Sequence, residues 1–354
     1  MNGLALEGGG VKGAYHVGAY MAFKKCNVNF SVICGTSIGA FNAAMLASGK
    51  DRELLRVWQT LDVAEHFGLE DKLKELIVDK KFSLKLVGES FKALKLILSS
   101  KGIKLDSLKK LLEDNIDEQL LRESSIDFGC VTVRLKDLKP LQVFKRDIPP
   151  GKLHEYLVAS SYLPVFKSEK IIDDNYYIDG GFYDNLPINM VASTGCKKIY
   201  AIRLNSMGLI KKVKDIDAEL IYIIPKRDLG GILELNSDIT KENIFMGYYD
   251  TLRVLKHYDG EHYVFKEKNE DYYYRLLRDI PIREKKRVEN FLKSTSNKET
   301  VIKALEYILK KEGISYYQVL KSRRIIKKIK KVYHNNHFVY EFINKIKLPI
   351  FEIF

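Results

Sequence analysis

The sequence predicts an α/β fold, a three-layer α/β/α arrangement on a mostly parallel sheet, followed by a basic, mainly helical C-terminal region. Three observations predict it. A strand–glycine loop–helix pattern occurs twice within the opening 48 residues, short apolar runs of strand type return after residue 125, and positive charge concentrates near the C-terminal end.

Taken in order, Leu4–Glu7 reads as a short apolar strand that feeds the loop Gly8–Gly13. Ala14–Lys25 carries apolar residues at helical spacing, and Phe30–Cys34 reads as a second, buried strand. Gly35–Gly39 turns the chain into a small-residue helix over Ala40–Ser48. Residues 51–125 are rich in Lys, Leu and Glu and lack proline, which suits an inserted helical cap. Sheet is expected again over Ile126–Val133, Leu141–Phe144, Lys170–Ile178, Lys198–Leu204 and Leu220–Ile224. These readings divide the chain into a larger domain over 1–275, with 51–125 as its insertion, and a basic helical region over 276–354.

Composition narrows the class. Of 354 residues, 46% are hydrophobic and 30% charged, the balance of a globular protein. No apolar run reaches the ~18 residues that a spanning helix requires. The opening residues read as a strand rather than a secretory signal, so a cytoplasmic location is expected, with peripheral attachment to a membrane as the variant. The net charge is +13, and residues 283–354 hold 18 Lys and Arg against 7 Asp and Glu. A basic segment of this kind favours an anionic partner, a phospholipid surface ahead of nucleic acid. Cys26, Cys34, Cys130 and Cys196 are scattered and form no CxxC pair, which suits reduced, buried thiols. No cluster of His and acids stands at ligand spacing, so neither metal nor cofactor is expected, and oligomeric state is left open.

The chemistry concentrates in three glycine-containing segments. Gly8, Gly9, Gly10, Val11, Lys12 and Gly13 fit G-x-G-x-x-G between a strand and a helix. A dinucleotide site would need an acid about 20 residues further on. No acidic residue lies between Gly13 and Asp51, and no Lys-Ser/Thr pair follows as a P-loop requires. What remains is a loop whose amides face an anionic oxygen. Next, Gly35-Thr36-Ser37-Ile38-Gly39 is a G-x-S-x-G turn between strand and helix, which would hold a serine hydroxyl at the strand end. For a base, His16, His66, His154, His257, His262, His334 and His337 lie in no recognisable loop context. Asp179, followed by Gly180 and Gly181 at the end of an apolar strand, is the stronger candidate.

Together, and in this order, these segments resemble the patatin-like phospholipases. Ala159–Phe166 is similar to the family's segment before the aspartate, Gly181–Pro187 to the N-x-P after it, and Gly230-Gly231 with Gly247-Tyr248 to its closing segment. The resemblance covers roughly residues 1–260. It implies a lipid acyl hydrolase with Ser37 as nucleophile, Asp179 as base and no histidine. The amides of Gly9 and Gly10, with Val11, would form the oxyanion hole, and Asn185 would fix the aspartate loop. Lys12 stands where the family often has arginine. It keeps a charge for a phosphate and loses bidentate geometry. Ser160 and Ser161 are expected as structural neighbours. The implied substrate is a phospholipid or other fatty acyl ester, cleaved through an acyl-enzyme. The competing reading is a membrane- or nucleic-acid-binding protein on an inactive scaffold of the same fold.

Overall fold

Alternation of small and branched apolar residues builds the centre of the sheet. In a computed structural model, which describes residues 1–60, 105–164, 166–214, 216–231, 237–266, 268–333 and 335–348, β1 (Asn2–Leu6) pairs in parallel with β2 (Val32–Thr36) on one side and β6 (Lys198–Ile202) on the other. β3 (Asp127–Arg134) adds in parallel to β2, and β7 (Glu219–Ile223) to β6. Two strands run against the rest: β4 (Lys139–Phe144) and β5 (Tyr177–Asp179), both on β3. The order is β4-β3-β2-β1-β6-β7, with β5 off this path. The sheet is therefore mostly parallel.

Its two faces are covered by different elements, as a parallel sheet demands. Ala5, Val32, Cys34, Val131, Ile199 and Ala201 pack with Leu186, Ile188, Met190 and Val191, the last three from the helix Ile188–Ala192. On the opposite face lie α1 (Ala14–Lys25) and α2 (Ile38–Ala47), where Phe23 of α1 meets Tyr200 of β6 edge-on at 4.8 Å. Each such fully buried aromatic contributes ~1.5–3 kcal/mol. In α2, Ala40, Ala43, Ala44 and Ala47 are buried, and their small size lets the helix lie close on β1, β2 and β3.

Most expected elements appear within two residues of their sequence bounds. The exception is Lys170–Ile178. There the chain makes a tight turn, with Ile172 bridging Asn175 and with Asp173 and Asp174 at φ 46 and 59, and only Tyr177–Asp179 joins the sheet. Aspartate tolerates this left-handed conformation through local hydrogen bonding, which breaks an otherwise strand-like run. Of the expected cap, the helices Asp51–Thr60, Asp106–Asn115 and Glu118–Glu123 are seen, and residues 61–104, with His66, lie outside the described residues.

The chain divides into two compact units, Met1–Tyr248 and Tyr249–Phe354. The second is a helical assembly around Tyr273, Leu305, Ile308, Ile326, Ile329, Phe342 and Ile343, with a two-stranded parallel ladder of β8 (Val264–Phe265) and β9 (Val319–Leu320). Glu306 in its helix Asn297–Lys311 accepts the amides of Glu261, His262 and Tyr263 at 2.7, 2.8 and 2.9 Å. The basic segment forms the helix Ser322–Val332, whose buried face is Ser322, Ile325, Ile326 and Ile329. By helical spacing, seven residues before Ile326, Val319 would also fit this face. Instead Val319 belongs to β9 and pairs with Val264, so the helix begins after it. Among the described residues, no helix is long and apolar enough to cross a membrane.

Candidate active site

Strand register brings the serine and the aspartate together. Thr36, the last residue of β2, pairs with Val131 of β3, and Asp179 of β5 pairs with the next residue, Thr132. β5 therefore takes over the edge of β3 where β2 ends. Ser37 leaves β2 at that point, and its side chain hydrogen-bonds the carboxylate of Asp179.

Ser37 sits in a strained turn. Its φ of 56 and ψ of -126 are sterically costly for a residue with a side chain, by ~1–3 kcal/mol. The turn is tight enough that a Cβ on Gly35 would stand 2.1 Å from the carbonyl oxygen of Gly39, so Gly35 has no tolerated replacement. The amide of Ser37 donates to Ser160 Oγ at 3.0 Å, and Thr36 Oγ1 donates to the Asp184 carbonyl at 2.8 Å. These contacts hold the turn from two sides. Since α2 starts at Ile38, its positive end lies at Ser37 and favours a developing anion there.

Asp179 is 3% exposed, and burial pushes its carboxyl up to about 6 despite the hydrogen bonds it accepts from Ser37 and from the amide of Gly181 at 2.7 Å. Thr132 Oγ1 donates to the carbonyls of Ala159 and Ile178, at 2.9 and 3.1 Å, and fixes the strand that carries it. A Cβ on Gly180 would meet the Val131 carbonyl at 2.2 Å, which explains the glycine directly after the aspartate.

The glycine loop is anchored at its first residue. Gly8 donates its amide to the Asn185 carbonyl at 3.0 Å and accepts Asn185 Nδ2 at 3.1 Å. Ser206 Oγ also donates to Gly8. Behind the loop, Glu7 is fully buried and accepts Arg203 Nε at 2.9 Å and the amide of Leu204. The chain then enters a short 3-10 turn over Gly10–Gly13, with Val11 and Lys12 buried. Among the described residues, the amides of Gly9 and Gly10 donate to nothing, while the Gly8 amide is taken. Asn185 thus joins the aspartate loop to the glycine loop. Ile38 and Gly39 lie behind the turn, with Ile38 against Gly13.

Three of the described histidines are engaged elsewhere. His16 is buried against Asn42 at 3.2 Å, and burial lowers its imidazole to about 3. His154 contacts the Ile116 carbonyl at 3.0 Å, and His337 caps the helix Phe338–Lys345. Among the described residues no histidine hydrogen-bonds Ser37 or Asp179, and His334 lies outside them. No group of three or more His, Cys, Asp or Glu is placed to hold a metal ion among the described residues. Cys34, Cys130 and Cys196 are buried and Cys26 half-buried, all as free thiols.

Sequence reading placed Ser160 as a structural neighbour of the site, and it left out Thr132 and the Glu7–Arg203 pair. Ser160 had a signal, its place in the block just before the aspartate strand. Thr132 and Arg203 had none, because each acts through a contact made only in the folded sheet.

A parallel sheet with a strained strand–serine–helix turn and a buried carboxylate at the adjoining strand end defines an α/β domain of the nucleophile-elbow kind. The patatin-like phospholipase family description matches residues 4–192, and the chain belongs to that family. It is 26% identical over 207 residues to patatin-like phospholipase domain-containing protein 7 of Rattus norvegicus, an alignment covering 57% of this chain and 13% of the rat protein. Lysophospholipase NTE1 of Saccharomyces cerevisiae is 24% identical over 207 residues, covering 58% of this chain and 11% of the yeast protein. The chain thus spans a small part of the length of these curated relatives. Among solved structures, VipD from Legionella pneumophila is similar at a TM-score of 0.42 and 15% identity, covering 97% of this chain and 83% of that one.

Proposed function

We propose that this chain is a lipid acyl hydrolase that works through Ser37 and Asp179. One observation carries the reading: a serine held in a strained turn hydrogen-bonds a buried carboxylate raised to about 6. Burial makes Asp179 a stronger base than an ordinary carboxylate while leaving it ionised at neutral pH. In the first step Asp179 takes the proton of Ser37 as Oγ attacks the ester carbonyl. The amides of Gly9 and Gly10 and the positive end of α2 stabilise the oxyanion. Collapse expels the alcohol, which takes the proton from Asp179, and leaves an acyl-serine. Water, deprotonated by the same carboxylate, then releases the fatty acid. A carboxylate is a weak base for a serine, so proximity and exclusion of water supply much of the rate.

The test is labelling and turnover. A fluorophosphonate should modify the protein once, at Ser37, and Ser37→Ala should abolish both labelling and hydrolysis of fatty acyl esters. Full turnover by Ser37→Ala, or by Asp179→Asn, would sink the assignment. A protein that neither labels nor turns over any ester would be the inactive scaffold instead.

Membrane docking through the helix Ser322–Val332 is part of the same reading. With Ile325, Ile326 and Ile329 buried, Arg324, Lys327, Lys328 and Lys331 remain exposed on its outer side. Each basic residue near an anionic surface contributes ~1 kcal/mol, so four could hold the enzyme on lipid.

A further inference from the structure

Beside the serine site, unit Met1–Tyr248 holds a cleft of about 180 Å³ lined by Lys12 of the glycine loop and by Leu204, Asn205, Lys226, Arg227 and Asp228, among others. Its position follows from topology. From β1 the chain builds outward through β2 and β3 on one side, and β6 and β7 are added on the other. The sheet therefore reverses its winding between β1 and β6. Lys12 follows β1, Leu204 and Asn205 follow β6, and Lys226 to Asp228 follow β7, so the cleft lies outside the carboxyl ends of the strands at that switch point. Crevices there are where open α/β sheets bind ligands.

Its charged lining is mostly basic, Lys12, Lys226 and Arg227 against Asp228. Lys12 is 8% exposed, yet among the described residues its ammonium has neither an ion-pair partner nor a hydrogen bond, so the cleft is the direction left to it. A buried cation without a counter-ion is unfavourable unless a ligand supplies one. Glu7 does not, because Arg203 and the loop amides already occupy it. Lys226 and Arg227 add charge from the β7 side, and Asp228 is turned back onto the amide of Gly230 at 3.1 Å.

The geometry points to this cleft as the subsite for the phosphate of a small, anionic lipid headgroup, with Lys226 and Arg227 as specificity-determining residues. The inference rests on the hydrolase reading and names its substrate class: acyl esters of glycerol phosphate in preference to choline lipids. Spacing agrees. Ser37 follows β2 and the cleft spans the ends of β1 to β7, so its β6 side is two strands away, about 10 Å at ordinary strand separation, a span that a glycerol phosphate backbone bridges. The cleft has room for a phosphate, and its basic lining favours a headgroup that carries no cation of its own.

Two arms test it. In the first, the full chain and its Lys226→Gln/Arg227→Gln variant are assayed on lysophosphatidate, lysophosphatidylcholine and a short uncharged ester. The expected result is a preference for lysophosphatidate in the parent. In the variant, kcat/KM for lysophosphatidate relative to the short ester should fall at least tenfold, mainly through KM. Lys226→Glu should deepen the loss, and since Lys226 is exposed the fold should survive that change. In the second arm, glycerol 3-phosphate and inorganic phosphate are titrated calorimetrically into the Ser37→Ala protein, which needs no catalysis. Binding weakened by the double variant supports the subsite, and tighter binding of glycerol 3-phosphate than of inorganic phosphate assigns it to the headgroup. Turnover of the short ester with an unchanged lipid ratio in the variant would overturn this inference and leave the hydrolase reading standing. If no ester is turned over, the hydrolase reading fails, and absence of phosphate binding would then overturn the subsite separately.

Discussion

Replacing Asp179 by asparagine separates stability from chemistry in a way that can be calculated. In the folded protein burial raises this carboxyl from 3.8 to about 6. In the unfolded chain it titrates near its ordinary value. Between these two values the folded state holds a proton that the unfolded state has released, so stability falls as pH rises. Over about two pH units at ~1.4 kcal/mol each, the wild type loses on the order of 3 kcal/mol. That stability is fully present below pH ~4 and gone above pH ~7. Asparagine does not titrate, and its side-chain oxygen can still accept the Gly181 amide. Asp184, also raised to about 6 by burial, is present in both proteins and cancels from the comparison. Urea unfolding of the two proteins from pH 4 to pH 8 should therefore give similar stabilities at the acid end. By pH 8 the variant should be the more stable by about 3 kcal/mol, while its ester hydrolysis is lost. A difference that does not change with pH, or one that grows as pH falls, would refute the argument that Asp179 is held ionised at an energetic cost.

Other perturbations follow from the same geometry. Hydrolysis should increase as pH rises through about 6, because the base must be ionised, and a flat kcat/KM from pH 5 to 7 would point to a different base. Ser160→Ala strands the Ser37 amide, whose partner at 3.0 Å is lost; at ~1–2 kcal/mol this should lower kcat about tenfold with little change in KM, and unchanged kinetics would return Ser160 to a packing role. Gly35→Ala should destabilise the fold by more than ~3 kcal/mol, read as a shifted denaturation midpoint, since its Cβ would stand 2.1 Å from a backbone oxygen. Replacing Lys327, Lys328 and Lys331 by glutamine should weaken co-sedimentation with anionic vesicles and leave hydrolysis of a short soluble ester intact. Lys330 is kept in that variant because its ammonium binds the Ile346 carbonyl. Binding that is equal in both proteins, or insensitive to salt, would leave the helix a structural one.

The sequence by itself determined the elements that depend on local chemistry. A serine between Gly35 and Gly39 requires a strand-to-helix turn, because only glycines tolerate the backbone contacts on either side. Apolar runs such as Val32–Cys34 and Ile199–Ile202 require burial on both faces, and hence a covered, parallel sheet. Separation along the chain hid the rest. Asp179 lies far from Ser37 in sequence and reaches it because β5 occupies the edge of β3 just past the end of β2. That takeover depends on the turn at Asp173 and Asp174, which shortens an apparently long strand to three residues. Lys12 reads in sequence as one more residue of a glycine loop. Only folding beside the ends of β6 and β7 buries it, with no counter-ion among the described residues, and makes its charge informative. Val319 likewise fits the helical stripe of the basic segment by spacing, and is drawn into β9 because its backbone finds a partner in Val264. Periodicity records which face of an element is apolar, whereas the partner that covers that face, and the polar groups that meet across it, are decided by long-range pairing.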